Sequence, residues 1–189
     1  DVVANIHNNI TNNRVYSPNA ATAISWAIVL SGSDNLIENN TVEYEGNGIT
    51  TQFALSSSPH NNVYRNNVLL NGSSMNVLSD STLYNNTVSG ALTVGADATA
   101  YNNTVAGKVT VNANAHVYNN TFNSGLATSG DDAIIENNTI VGAVTINKIG
   151  TAFRGNDVNG SVTVSASDNW IRNNNIVSTG VGIVSDRIL

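Results

Sequence analysis

Apolar residues in this chain recur singly and in alternating triplets, never in helical stripes. Leu92-Thr93-Val94, Val109-Thr110-Val111, Val144-Thr145-Ile146 and Val162-Thr163-Val164 repeat one pattern. A two-residue period rich in β-branched side chains predicts short strands, with the threonine on the face opposite its neighbours. A glycine stands just before each triplet, in Val88-Ser89-Gly90, Val105-Ala106-Gly107, Ile140-Val141-Gly142 and Val158-Asn159-Gly160. Each predicted strand therefore follows a turn.

A second unit interleaves with the first. An apolar residue is followed by one larger polar or aromatic residue, then Asn-Asn, usually Thr, then another apolar residue. Leu83-Tyr84-Asn85-Asn86-Thr87-Val88, Ala100-Tyr101-Asn102-Asn103-Thr104-Val105 and Val117-Tyr118-Asn119-Asn120-Thr121-Phe122 show it best, and Ile6-His7-Asn8-Asn9 reads as the first copy. Taking the second asparagine as anchor gives positions 9, 40, 67, 86, 103, 120, 138, 156 and 174, with spacings of 31, 27, 19, 17, 17, 18, 18 and 18 residues. A period of 17 to 18 residues is too short for helix-pair repeats. Six residues before the last eight anchors stand Asp34, Asn61, Asp80, Asp97, Asn114, Asp132, Gly150 and Asp168. These residue types tolerate the left-handed conformation, so the column marks a corner.

Three short strands and three corners per period predict a right-handed parallel β-helix, an all-β solenoid of three sheets with about nine coils and irregular, longer coils at the N-terminal end. The whole of residues 1–189 reads as a single domain. At ~4.8 Å per coil the rod is on the order of 40 Å long. In this register Ile37, Leu83, Ala100, Val117, Ile135, Phe153 and Ile171 point inward, as do Val42, Val88, Val105, Phe122, Ile140, Val158 and Ile176. The anchors Asn40, Asn67, Asn86, Asn103, Asn120, Asn138, Asn156 and Asn174 are placed to bond amide to amide as a structural asparagine ladder. Two residues before the anchor, Tyr84, Tyr101 and Tyr118 form an outward aromatic strip, followed by Glu136, Arg154 and Arg172. The strip is a candidate surface for sugars or a protein partner, and it also stabilises neighbouring strands. The wide spacings around Asn13 to Ser33 and Val42 to Asn61, with Trp26 and Phe53, are the other place where a site of individual character fits.

Composition narrows the chemistry. The 189 residues include 34 asparagines, 7 Lys plus Arg, 13 Asp plus Glu and no cysteine. A formal charge of −6 leaves no basic patch for phosphates, which excludes nucleic acid as a partner. Thiol chemistry, disulfides and zinc ribbons are excluded with the cysteines. The run from Ala20 to Leu30 is about half of a membrane span and carries Thr22 and Ser25, so no membrane insertion is expected. No signal segment is visible, and the chain reads as one module of a longer protein. A hydrophobic fraction of 41% argues for a packed core rather than disorder.

The recurring Glu-Asn-Asn-Thr-Val/Ile phrases, with a glycine and a Val-Thr-Val strand after them, resemble the repeats of pectin-lyase-like right-handed β-helix proteins. More narrowly, residues 35 to 178 resemble the adhesin-like surface proteins of methanogenic archaea. The resemblance implies a non-catalytic extracellular module on a cell surface. Its implied partners are cell-surface glycans or proteins, or neighbouring copies of itself in a filament or layer.

Enzymes also use this fold. Gly130-Asp131-Asp132 is similar to the Gly-Asp-Asp of polygalacturonases, where acidic groups protonate a leaving oxygen and activate water. The companion Asn-Thr-Asp, Gly-His-Gly and Arg-Ile-Lys motifs are missing, and Asp132 already belongs to the corner column. Polysaccharide cleavage is therefore the lesser alternative, and no catalytic residue is assigned. Asp80 and Asp97 stack one coil apart, yet no Gly-Gly-x-Gly-x-Asp repeat accompanies them, so no metal and no cofactor is expected. His7, His60 and His116 fall in different coils and read as surface residues. Asn-x-Ser/Thr triplets begin at Asn9, Asn39, Asn71, Asn85, Asn102, Asn119, Asn137 and Asn159. Asn39, Asn85, Asn102, Asn119 and Asn137 come with the repeat and are the main glycosylation candidates.

Overall fold

The computed structural model describes residues 2–4, 7–17, 26–30, 32–44, 52–55, 60–180 and 182–185. It is a right-handed parallel β-helix without helices among the described residues. The first wall is a nine-stranded sheet running from Asn9–Thr11 through Thr82–Tyr84 and Thr99–Tyr101 to Trp170–Arg172. The second wall, also nine-stranded, runs from Arg14–Ser17 to Asn175–Val177. The third is seven-stranded, from Met75–Asn76 to Ile183–Ser185. In the long N-terminal coils a separate three-stranded sheet of Val2–Ala4, Trp26–Leu30 and Gln52–Leu55 takes its side. The uniform three-strand coil of 17 to 18 residues therefore repeats about six times rather than nine.

Each strand pairs in parallel with its equivalent one coil on, as in Leu83 with Ala100 and Val88 with Val105. First-wall strands turn one side chain inward, while third-wall triplets such as Leu92–Val94 bury two and leave the threonine between them facing out. Together with one residue of the second wall this gives four inward apolar positions per regular coil. Leu83, Val88, Leu92 and Val94 fill one coil, and Val117, Phe122, Leu126 and Thr128 another, all buried. Thr128 shows that this position accepts a hydroxyl. The expected core columns are buried except at Ile171 and Ile176, which are half-buried in the coil furthest along the chain.

The corners follow from backbone conformation. All eight residues of the Asp34 to Asp168 column have positive φ, between 55° and 71°. A second left-handed column precedes the anchors: Asn12, Asn39, Asn66, Asn85, Asn102, Asn119, Asn137, Gly155 and Asn173 have φ between 54° and 64°. Asparagine bears this conformation better than any other residue except glycine, which accounts for the first asparagine of each pair. At the remaining corner glycine is needed for space, since a Cβ at Gly107 would run into the backbone of Gly90 one coil back.

The first copy of the repeat is displaced from its expected place. Ile10 pairs with Ile37 and Asn9 with Leu36, so Asn13 rather than Asn9 stands under Asn40, 27 residues away. Asn8-Asn9 and Asn12-Asn13 are two pairs four residues apart, and only the strand register distinguishes them.

Candidate binding face and the corners that hold it

The anchor asparagines form a continuous hydrogen-bonded column between the first and second walls. The backbone N–H and Nδ2 of Asn86 both donate to Oδ1 of Asn103, at 3.0 and 2.9 Å. Asn103 repeats this on Asn120 at 2.9 and 3.0 Å, and Asn120 on Asn138 at 2.9 and 3.0 Å. The same pair of bonds links Asn40 to Asn67, Asn67 to Asn86, Asn138 to Asn156 and Asn156 to Asn174. Nδ2 of Asn103 also donates to Leu83 O and Tyr101 O, at 3.1 and 3.0 Å. Each buried amide thus accepts the corner N–H of the preceding anchor and donates to carbonyls of the flanking first-wall strands.

A shorter ladder lies at the opposite end of the first-wall strands. Nδ2 of Asn8 donates to Asn35 Oδ1 at 3.2 Å, and Asn35 to Asn62 at 3.1 Å. The Asn62 N–H then donates to Ser81 Oγ at 3.2 Å. In the next three coils Ala98, Ala115 and Ala133 stand at this position, all buried. Sequence reading missed this column because its residue type changes along the rod.

On the outside of the first wall, Tyr84 and Tyr101 stack with ring centroids 5.0 Å apart and planes within 5°, and Tyr101 and Tyr118 at 5.1 Å and 7°. Since the rings face one another, the strip offers partners its edges and hydroxyls more than its ring faces. The column continues beyond the tyrosines at both ends. Arg65 Nη1 donates to Tyr84 Oη at 3.0 Å while its Nη2 lies 2.9 Å from Glu38 Oε2. At the other end the His116 ring tilts against Tyr118 at 4.7 Å, and Glu136 bridges His116 Nε2 at 2.8 Å and Arg154 Nε at 2.6 Å. Glu38 and Arg65 hold the same register position as the tyrosines and could have been found from the anchor count alone. Arg172 extends the column next to Arg154 and lies over the Trp170 ring at 5.6 Å.

These contacts set the local electrostatics. Burial, then the neighbouring phenols of Tyr84 and Tyr118, push the Tyr101 hydroxyl above its usual pKa. The hydrogen bond from His116, followed by that from Arg154, holds the Glu136 carboxyl below the usual range.

The remaining candidates are not gathered into one site. His7 has φ of 54° at a corner, His60 Nδ1 lies 3.3 Å from Ser33 Oγ, and His116 belongs to the tyrosine column. Asp132 is an exposed left-handed corner residue, and Oδ1 of Asp131 accepts the Ile149 N–H at 3.1 Å. Asp97 accepts from Nδ2 of Asn114 at 3.0 Å. Among the described residues no three His, Asp or Glu side chains converge. The side chains of Trp26 and Phe53, and much of the Asn13 to Ser33 and Val42 to Asn61 segments, lie outside the described residues. Asn39, Asn85, Asn102, Asn119 and Asn137 are all exposed. No protein-family model, curated protein or solved structure matches the chain.

Proposed function

We propose that this chain is a non-catalytic, adhesin-like module of an extracellular surface protein, and that it presents the outer face of its first wall to a cell-surface glycan or protein. The observation that carries the reading is the unbroken outward column from Glu38 through Arg65, Tyr84, Tyr101 and Tyr118 to Glu136 and Arg154. Three phenols in register, closed at each end by an ion pair, make a row of hydrogen-bonding groups one strand spacing apart. Such a comb suits an extended partner lying along the rod, and a linear polysaccharide has the matching chemistry of regularly spaced hydroxyls. The likeness of the Asn-Asn-Thr phrases to pectin-lyase-like repeats and to methanogen adhesin-like proteins supports the same reading.

The test is a glycan array probed with the purified domain, including pectins and mucin glycans, with and without Ca²⁺, and with products read by mass spectrometry. Specific binding that disappears when Tyr84, Tyr101 and Tyr118 are all changed to Ser is the expected result. Binding unchanged in the triple variant removes the strip from the reading. Cleavage of any polysaccharide replaces it with an enzymatic one and turns attention to Asp131 and Asp132.

A further inference from the structure

The fold sorts its asparagines into two populations. Asn9, Asn39, Asn71, Asn85, Asn102, Asn119, Asn137 and Asn159, which begin the Asn-x-Ser/Thr triplets, are all exposed. The buried asparagines, among them Asn86, Asn103, Asn120 and Asn138, all fall outside such triplets. The repeat accounts for five of the exposed acceptors, but Asn9, Asn71 and Asn159 stand elsewhere in the register and obey the same division. At the ladder corner the acceptors Asn85, Asn102, Asn119 and Asn137 project from left-handed residues. Their side chains make no hydrogen bond to another described residue, whereas the asparagine after each is locked into the ladder. The hydroxyl that completes each triplet, on Thr87, Thr104, Thr121 or Thr139, is exposed just around the corner on the second wall.

We propose that this exposed asparagine column is an acceptor face for N-linked glycans, occupied on alternate coils and never on the buried ladder. It rests on the extracellular reading above only in requiring passage through a glycosylating compartment. In the transfer, Nδ2 of the asparagine forms a bond to C1 of the sugar as the bond from C1 to the phosphate oxygen of a lipid-linked oligosaccharide breaks. The lipid phosphate leaves with the electron pair, and the amide gives one proton to the transferase. Alternation follows from spacing, because acceptors on adjacent coils sit ~4.8 Å apart and those on alternate coils twice that. A branched glycan on one coil covers its neighbour, and the attached chains crowd each other as the coils stack. The acceptor column also directly follows the tyrosines in sequence, so the glycans border the first-wall strip along its whole length.

The test uses the chain secreted by a host with an N-glycosylation pathway. Trypsin cuts after Arg65, Lys108 and Lys148, so Asn85 and Asn102 share the fragment 66–108, and Asn119 and Asn137 share 109–148. Site-resolved glycopeptide mass spectrometry is expected to find each pair modified at one site or the other. Thr104→Ala removes the acceptor at Asn102 without touching its corner. It should raise occupancy at Asn85 and Asn119 by up to about twofold, the partition expected when neighbours compete for one glycan; Thr104→Ser should not. Fragments carrying glycans on both adjacent sites as often as independent occupancy predicts overturn the alternation, and no added mass at any acceptor overturns the proposal. Unglycosylated protein on the glycan array tests the surface-binding reading separately.

Discussion

At one end of all nine first-wall strands a left-handed residue is followed by an asparagine, from Asn13 to Asn174. At the other end a left-handed residue is followed by Asn8, Asn35, Asn62, Ser81, Ala98, Ala115, Ala133, Thr151 and Asn169. The difference lies in where the corner backbone finds its partners. Around Ala98 and Ala115 the chain closes a local turn, with their N–H groups reaching Gly95 O and Asn112 O at 3.4 Å. The tighter asparagine corner has only two residues between strands; the N–H of the first reaches a backbone carbonyl of the next coil, as Asn85 does Tyr101 O, and the N–H of the second has only the amide of the next coil. A corner that can satisfy itself locally tolerates alanine, whereas one that cannot depends on the ladder.

The sharpest break in that comparison is Asn103→Ala. It removes the acceptor of both Asn86 donors and the amide donor to Leu83 O, Tyr101 O and Asn120 Oδ1, leaving the buried Asn86 N–H without its partner and breaking the ladder at its middle. We expect a loss of ~3 kcal/mol in urea unfolding. Ser81→Ala, its counterpart at the opposite corner, takes a single acceptor from the Asn62 N–H and should cost less, ~1 kcal/mol. Equal costs at the two corners contradict the account.

The left-handed residue beside the ladder gives the next effect. Asn102→Val places a β-branched residue at φ of 54° and should lower the unfolding free energy by ~1–2 kcal/mol. Asn102→Gly should stay within a few tenths of the parent. Should both variants match the parent in denaturant midpoint, backbone strain is not what selects the first asparagine.

Outside the walls the effects shrink. Tyr101→Ser should cost ~1 kcal/mol through lost ring stacking. The raised Tyr101 pKa adds a pH signature: its contribution is full below the ordinary phenol value of 10.0 and disappears as pH rises through the higher folded value. Absorbance titration at alkaline pH, compared with Tyr101→Phe, checks the sign. The smallest effect is at Glu136, whose depressed pKa gives stability present above the ordinary carboxyl value of 4.5 and lost as pH falls through the lower folded value. Glu136→Gln should remove that acid dependence at a cost below ~1 kcal/mol, less in high salt.

Much of this architecture was legible because residue identity itself repeats. The Asp34 to Asp168 column announced a corner through residue types that accept positive φ, and Val-Thr-Val announced a strand burying two side chains. The second left-handed column was hidden because asparagine serves two purposes side by side: Asn102 bends the chain and Asn103 bonds the coils. The opposite ladder was hidden for the reverse reason, one geometric position being filled by Asn, Ser, Ala and Thr in turn. In the first coil the two asparagine pairs are equally good matches, and only the pairing of Ile10 with Ile37 decides between them. The tyrosine column showed its members in sequence, but not that its rings would turn their faces to one another.

The strands lie across the rod, and among the described residues each coil is hydrogen-bonded to the coils before and after it. A pull along the axis therefore loads one inter-coil seam at a time instead of the whole molecule. Each regular coil that detaches frees 17 or 18 residues, ~60 Å of chain at ~3.4 Å per residue, in place of the ~4.8 Å it spanned when folded. Under tension such a rod lengthens stepwise, and work is dissipated at each coil that detaches.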